Sequence, residues 1–300
     1  MRSEEELIEF LREKFPPGRA LVGIGDDAAV FENLVFTTDM LVEGVHFLKD
    51  HPPFFLGRKA VNVNLSDLAA MGAEPLFILM SLAFPVEFTS AWMEEFSNGV
   101  SSACKEGECS LVGGDLSRAD RIFISVTAVG RTDSPVLRGR AREGEGIYLV
   151  GDLGLARAGR EALEKGIKGF TILEMAFWNP RPRLKEGLEA ARLASSMIDV
   201  SDGFVLDLHR LLQGKGARLD QESLPIPFEL KRFCRKMGVS PLDYVLYGGE
   251  DYALIYTSGS DHGPGRRVGE VTGDGRILLG EREVPVKGFS HFSGKPSQKF

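Results

Sequence analysis

Acidic residues recur in this chain directly after short apolar runs that close on glycine, serine or threonine. ALVGIG leads into Asp26 and Asp27, LVFTT into Asp39, AVNVNLS into Asp67 and CSLVGG into Asp115. MIDVS carries Asp199 and ends at Asp202, and YVLYGG leads into Glu250 and Asp251. Carboxylates gathered at one place repel each other and hold on to their protons, and a divalent cation is the usual remedy. Mg2+ suits such a set: it takes hard oxygen ligands, keeps part of its water shell and is held by a few carboxylates together with substrate phosphates. At Gly23, Gly25, Gly113 and Gly114 the backbone N–H groups could approach anionic oxygens closely. A single Asp after Gly or Ser is an ordinary turn or helix-cap residue, and Asp67 before LAAMGA suits an N-cap. The joint occurrence is what points to one shared site. His46 in GVHF reads by itself as a partly buried histidine, and Asp207 in FVLDLHR as a mid-helix acid at the surface or behind the site.

These acids need strands that end at them and helices between. Runs of four to eight apolar residues bounded by small residues read as strands. By that rule ALVGIG, LVFTT, CSLVGG, MIDVS, YVLYGG and IFISVTAVGR are strands, and Lys59 to Gly72 passes from strand into helix. Helical spacing marks the N-terminal stretch with Leu7, Phe10, Leu11 and Phe15, and Ser90 to Lys105 with Trp92, Met93, Phe96 and Val100. Leu153 to Lys165 and Arg183 to Ala194 have helix-forming compositions. Strands and helices occur in both halves without regular βαβ alternation, so the expected class is α+β. The Pro- and Gly-containing TDSPVLRGRAREGEG puts a domain boundary near residue 138, giving domains 1–138 and 139–300.

Missing motifs narrow the chemistry. No GxxxxGK[ST], HRD, DFG, HExxH or serine-elbow pattern is present, and GIGDDA lacks the GxGxxG spacing. Across 300 residues, 36 basic against 43 acidic side chains give a net charge of −7, which argues against nucleic-acid binding. Cys104, Cys109 and Cys234 are too few and oddly numbered for a disulfide framework, and no His or second pair completes a metal site around the first two. The apolar stretch from Leu76 to Val86 is broken by Ser81 and Pro85 and is far shorter than a membrane span. A soluble cytoplasmic protein is expected.

Taken in order, GIGDDAAV (23–30), TTDMLVEGVHF (37–47), NLSDLAAMGAEP (64–75), GGDLSR (113–118), RPRL (181–184), IDVSDGF (198–204) and GGEDYAL (248–254) resemble thiamine-monophosphate kinase. That family shares a superfamily with aminoimidazole ribonucleotide synthetase, selenophosphate synthetase and a carbamoyl-dehydrating hydrogenase maturation protein. The resemblance implies an aminoimidazole ribonucleotide synthetase-like fold: an N-terminal mixed α/β domain whose sheet pairs across a homodimer, and a C-terminal α+β domain that completes the cleft. It implies ATP as co-substrate, several Mg2+ ions, and direct in-line transfer of the γ-phosphoryl group to the phosphate of thiamine monophosphate. By the same resemblance Asp26, Thr37, Thr38, Asp39, Asp67, Asp115, Asp199 and Asp202 are metal ligands, with Asp27 beside Asp26 a further candidate. Gly114, Asp115, Arg138 and Ser201 correspond to ATP contacts, with Arg140 competing for the arginine position. His46, Glu250 and a C-terminal aromatic, Phe292 or Phe289, correspond to substrate contacts. The alternative is another ATP-using superfamily member, aminoimidazole ribonucleotide synthetase first among them.

Overall fold

The computed structural model describes residues 3–291. It opens with helix α1 (Glu4–Lys14), started by a capping box in which the Ser3 hydroxyl accepts from the Glu6 N–H and the Glu6 side chain accepts from the Ser3 N–H. Strands β1 (Ala29–Phe31) and β2 (Leu34–Val42) form a hairpin, and helix α2 (Pro53–Ala70) follows. Then come β3 (Glu74–Phe84), α3 (Ser90–Glu106), β4 (Ser110–Arg118) and β5 (Phe123–Arg131). The first sheet has the order β1-β2-β5-β3-β4, antiparallel except for the β3–β4 pair.

The second sheet has the order β12-β11-β8-β10-β6-β9-β7. Its strands are β6 (Gly146–Val150), β7 (Ser196–Asp199), β8 (Gly216–Leu219), β9 (Leu254–Ser258), β10 (Arg266–Thr272), β11 (Ile277–Leu279) and β12 (Arg282–Glu283). Helices α4 (Leu155–Glu164), α5 (Thr171–Trp178), α6 (Leu184–Ala190), α7 (Phe204–Leu212), α8 (Phe228–Met237) and α9 (Pro241–Tyr247) accompany it. The α+β expectation is met. No described helix is long and apolar enough to cross a membrane.

Helix α2 lies between the two sheets and is buried along most of its length. Val61, Leu65 and Leu68 pack in the core of the first sheet, while Ala69 and Ala70 join a cluster with Tyr148, Met197 and Tyr256 of the second. Gly187 of α6 lies against α2 so closely that a Cβ there would stand 2.5 Å from the Ala69 carbonyl oxygen.

Three segments differ from the sequence reading. AVNVNLS is helix throughout, so Asp67 sits within α2 rather than at a strand end or an N-cap. YVLYGG is not a strand: Ser240 caps α9, Pro241 occupies its first turn, and Glu250 follows the helix. ALVGIG makes isolated bridges at Val22 and Ile24 and leaves Leu21 exposed.

Candidate active site

Period-two alternation decides which β2 side chains enter the site. Thr37 and Asp39 point to the α2 side, whereas the Thr38 hydroxyl donates to the Val126 carbonyl and accepts from Thr127 on the opposite, exposed face. From α2, Asn64 Oδ1 accepts the Asp39 N–H at 3.0 Å. The Thr37 hydroxyl donates to Asp67 at 2.5 Å, and the Ser66 hydroxyl donates to Asp199 of β7 at 2.7 Å. These bonds fasten β2, α2 and β7 together around the acids.

Oxygens of Asp27, Asp67 and Asp199 lie within 4.8 Å of one another. The Arg138 guanidinium pairs with Asp27 Oδ1, while Asp27 Oδ2 is buried with no hydrogen-bond partner. Asp26 turns aside: its carboxylate accepts the N–H groups of Asp27 at 3.0 Å and Arg138 at 3.2 Å. The acid of the GDD motif that enters the cluster is therefore Asp27, which sequence reasoning carried only as a neighbour of Asp26. Arg140 is exposed, and of the two arginines it is Arg138 that pairs with Asp26 and Asp27.

Burial raises the proton affinity of Asp27, Asp67 and Asp199, and neighbouring carboxylates add to it at Asp67 and Asp199. Burial, reinforced by Asp39, Asp199 and Asp27, pushes Asp67 well above the usual carboxylate range, and burial beside Asp27 does the same to Asp199. Asp39 rises to about 6 through burial and the charges of Asp202 and Asp27. Asp26 also rises to about 6, chiefly through burial and Asp27, with Arg138 opposing. Asp207 is buried rather than superficial and rises to about 7, through burial and then Asp202. Its Oδ2 accepts the N–H groups of Asp202 and Gly203 at 2.9 and 3.0 Å, which shapes the turn carrying Asp202.

A cavity of about 200 Å³ brings Asp39, Asp67, Asp199, Ser201 and Asp202 together with His46, Glu250, Tyr252 and Phe289 in its lining. His46 Nδ1 accepts the Val42 N–H at 3.0 Å, and burial aided by His291 and Lys59 lowers its pKa to about 3. The ring is therefore neutral, with its proton on Nε2. Lys59, which sequence reasoning missed, is wholly buried; it lies 3.0 Å from Glu250 and donates to the His46 carbonyl at 2.9 Å. Its only signal was a basic residue inside an apolar helix. Phe289 lines the cavity, and Phe292 lies outside the described residues.

Gly114 and Asp115 stand apart from the cluster. Asp115 pairs across β3 with Ser81, which pairs with Ser125 and so with Met40, and this row lies on the exposed sheet face shared with Thr38. Gly114, at φ 154°, lies beside Met80 of β3 so closely that a Cβ would fall 1.7 Å from the Met80 carbonyl oxygen.

Over 286 residues the chain is 37% identical to the thiamine-monophosphate kinase of Aquifex aeolicus, covering 90% of this chain and 92% of that protein. The chain belongs to the thiamine-monophosphate kinase family. The family's Mycobacterium tuberculosis member is 34% identical, over 96% of this chain and 91% of its own. A solved structure of AaThiL complexed with AMPPCP and TMP superposes with a TM-score of 0.90 at 34% identity, covering 97% of this chain and 99% of that one. Residues 25–132 match the family model described as AIR synthase related protein, N-terminal domain.

Proposed function

We propose that this protein transfers the γ-phosphoryl group of ATP to the phosphate of thiamine monophosphate, giving thiamine diphosphate and ADP. Membership of the family supports the substrates. The observation that carries the chemistry is the convergence of Asp27, Asp67 and Asp199 from three separate elements, with one buried carboxylate oxygen unpartnered. The donors are all hard oxygens, which fits Mg2+. Asp27, Asp67 and Asp199 would hold it, with Asp26, Thr37, Asp39 and Asp202 around them. Bound there, the metal supplies the positive charge that lets two anionic phosphates approach.

The remaining residues position and desolvate. Arg138 supplies a fixed cation beside Asp27, and Ser201 borders the cavity beside Asp202, both suited to the nucleotide phosphates. His46, neutral with an Nε2–H, and Glu250 suit the acceptor's end. A phosphate monoester is already ionised at neutral pH, so the attack on the γ-phosphorus calls for alignment rather than a strong base. In-line displacement forms the new P–O bond as the bond to ADP breaks, with no side chain becoming phosphorylated.

The first sheet ends at Arg131 and the second begins at Gly146, in keeping with domains 1–138 and 139–300. Exposed Met40 and Leu79 on the outer sheet face, and Leu111, Val112 and Leu116 on edge strand β4, suit pairing with a second copy. Thr38 and Asp115 would then lie at or beside that interface. Free thiols throughout suit a cytoplasmic setting.

Incubating the protein with ATP, Mg2+ and thiamine monophosphate should yield thiamine diphosphate and ADP in equal amounts. No product from this acceptor, with turnover of formylglycinamidine ribonucleotide instead, would move the assignment to aminoimidazole ribonucleotide synthetase.

A further inference from the structure

Helix α3 ends in a turn whose hydrogen bonds fix two thiols against each other. The Cys109 N–H donates to the Cys104 carbonyl at 2.9 Å, and the Glu108 N–H to the Lys105 carbonyl at 3.4 Å, with Glu108 at φ 54°. That pattern is a Schellman motif, which sets the side chain three positions before the helix end against the one two positions after it. In this turn those positions are Cys104 and Cys109. Glu108 occupies the left-handed position that glycine usually fills, so the neighbouring structure holds the turn in place. Standard bond lengths added to the 2.9 Å contact keep the two Cα atoms less than about 7 Å apart, within disulfide reach.

The chemistry of the pair is asymmetric. The Cys109 thiol beside it lowers the Cys104 pKa, and Cys104 together with burial raises that of Cys109. The pair lines a groove of about 430 Å³ between α3 and the β3–β4 edge, together with Ser97, Ser101 and Lys105. All three cysteines are buried, and Cys234 lies apart from the pair on α8, with its thiol pushed up to about 11 by burial. A favoured thiolate, an adjacent resolving thiol and a groove leading to both are the parts of a redox-active dithiol.

We propose that Cys104 and Cys109 form a redox-active dithiol that reduces low-molecular-weight disulfides and closes into an intrachain disulfide. The Cys104 thiolate attacks one sulfur of the reagent RS–SR; a Cys104–SR bond forms, the reagent's S–S bond breaks, and RS⁻ leaves to take a proton. Cys109 then gives up its proton and attacks the Cys104 sulfur, and the second RS⁻ leaves. Two protein thiols lose two electrons and two protons, and the reagent becomes two RSH molecules. The corner that closes leads directly into β4, the strand that carries Gly114 and Asp115.

The test treats the full-length native protein with oxidised glutathione, traps remaining thiols by alkylation and maps the tryptic peptides. Trypsin cuts after Lys105, between the two cysteines. The expected result is a pair of tryptic peptides joined through Cys104 and Cys109, with Cys104 consumed at least about tenfold faster than Cys234. Cys109→Ser should instead accumulate a lasting glutathione adduct on Cys104, and Cys104→Ser should abolish reaction at Cys109. Wild-type protein that remains fully alkylatable, or that keeps the glutathione adduct without joining the peptides, overturns the proposal.

Discussion

Lys59 Nζ stands 3.0 Å from Glu250 Oε1 inside the protein, with side-chain exposures of 0% and 7%. Burial lowers the lysine's proton affinity, and the facing carboxylate pulls it back up. Because Lys59 also grips the His46 carbonyl, one ammonium group fixes the placing of both residues proposed to meet the thiamine end of the substrate.

Lys59→Met should leave a carboxylate buried without its partner, at a cost of about 3–5 kcal/mol. Urea unfolding of the single variant and of Lys59→Met/Glu250→Gln measures it, and the double variant should recover most of the loss. A single variant as stable as the parent would mean that the pair does not hold this part of the fold.

Asp67→Asn should cut turnover by about 100-fold or more while the protein stays folded. Its metal-free melting temperature should hold or rise, because one of three crowded carboxylates has lost its charge. Initial rates beside a thermal melt separate the two effects; near-normal turnover would remove Asp67 from the metal site.

His46→Ala should raise KM for thiamine monophosphate about tenfold, the worth of one good hydrogen bond, with a smaller change in KM for ATP. An effect confined to ATP would contradict the assignment to the acceptor's end.

His51, 3% exposed, has its pKa lowered to about 3 by burial and then by Lys59, while one ring nitrogen faces the Trp178 carbonyl at 3.2 Å. Folding favours the neutral ring, so its stabilisation is fully present above pH 6.5 and is lost as acid protonates the unfolded chain first. From this ring alone the loss at pH 5 is about 2 kcal/mol. In His51→Gln, which keeps a donor for Trp178, the slope of stability between pH 5 and 6.5 should flatten; an unchanged slope would place the acid sensitivity elsewhere.

Leu116→Asp, at a position 70% exposed on the edge strand, should shift the protein to single-chain mass in light scattering without altering its circular dichroism. Unchanged mass would exclude β4 from the interface.

The sequence showed the acids because small residues flank them, a local signal that survives without coordinates. It did not show which neighbour turns inward. Asp26 and Asp27 share one motif, and a carboxylate folding back on the next N–H decides between them. The strand reading of AVNVNLS failed for a clear reason: a helix buried on nearly all sides has no polar face, so its periodicity vanishes and β-branched valines dominate the pattern. YVLYGG misled through its Tyr and Val content, although Ser240 and Pro241 just ahead of it were legitimate helix-start signals. Thr38 and Asp115 matched their motifs, yet strand alternation and register turned them to the far face, which motif matching does not read.

The position of α2 bears on how the molecule comes apart. With Val61 and Leu65 in one hydrophobic cluster and Ala69 and Ala70 in another, a single helix is the central beam of both halves. Melting either half strips that beam of half its cover, so the two should denature together, as one calorimetric peak rather than two. A chain severed near residue 138 would leave the C-terminal fragment without its beam and the N-terminal fragment with a bare greasy flank.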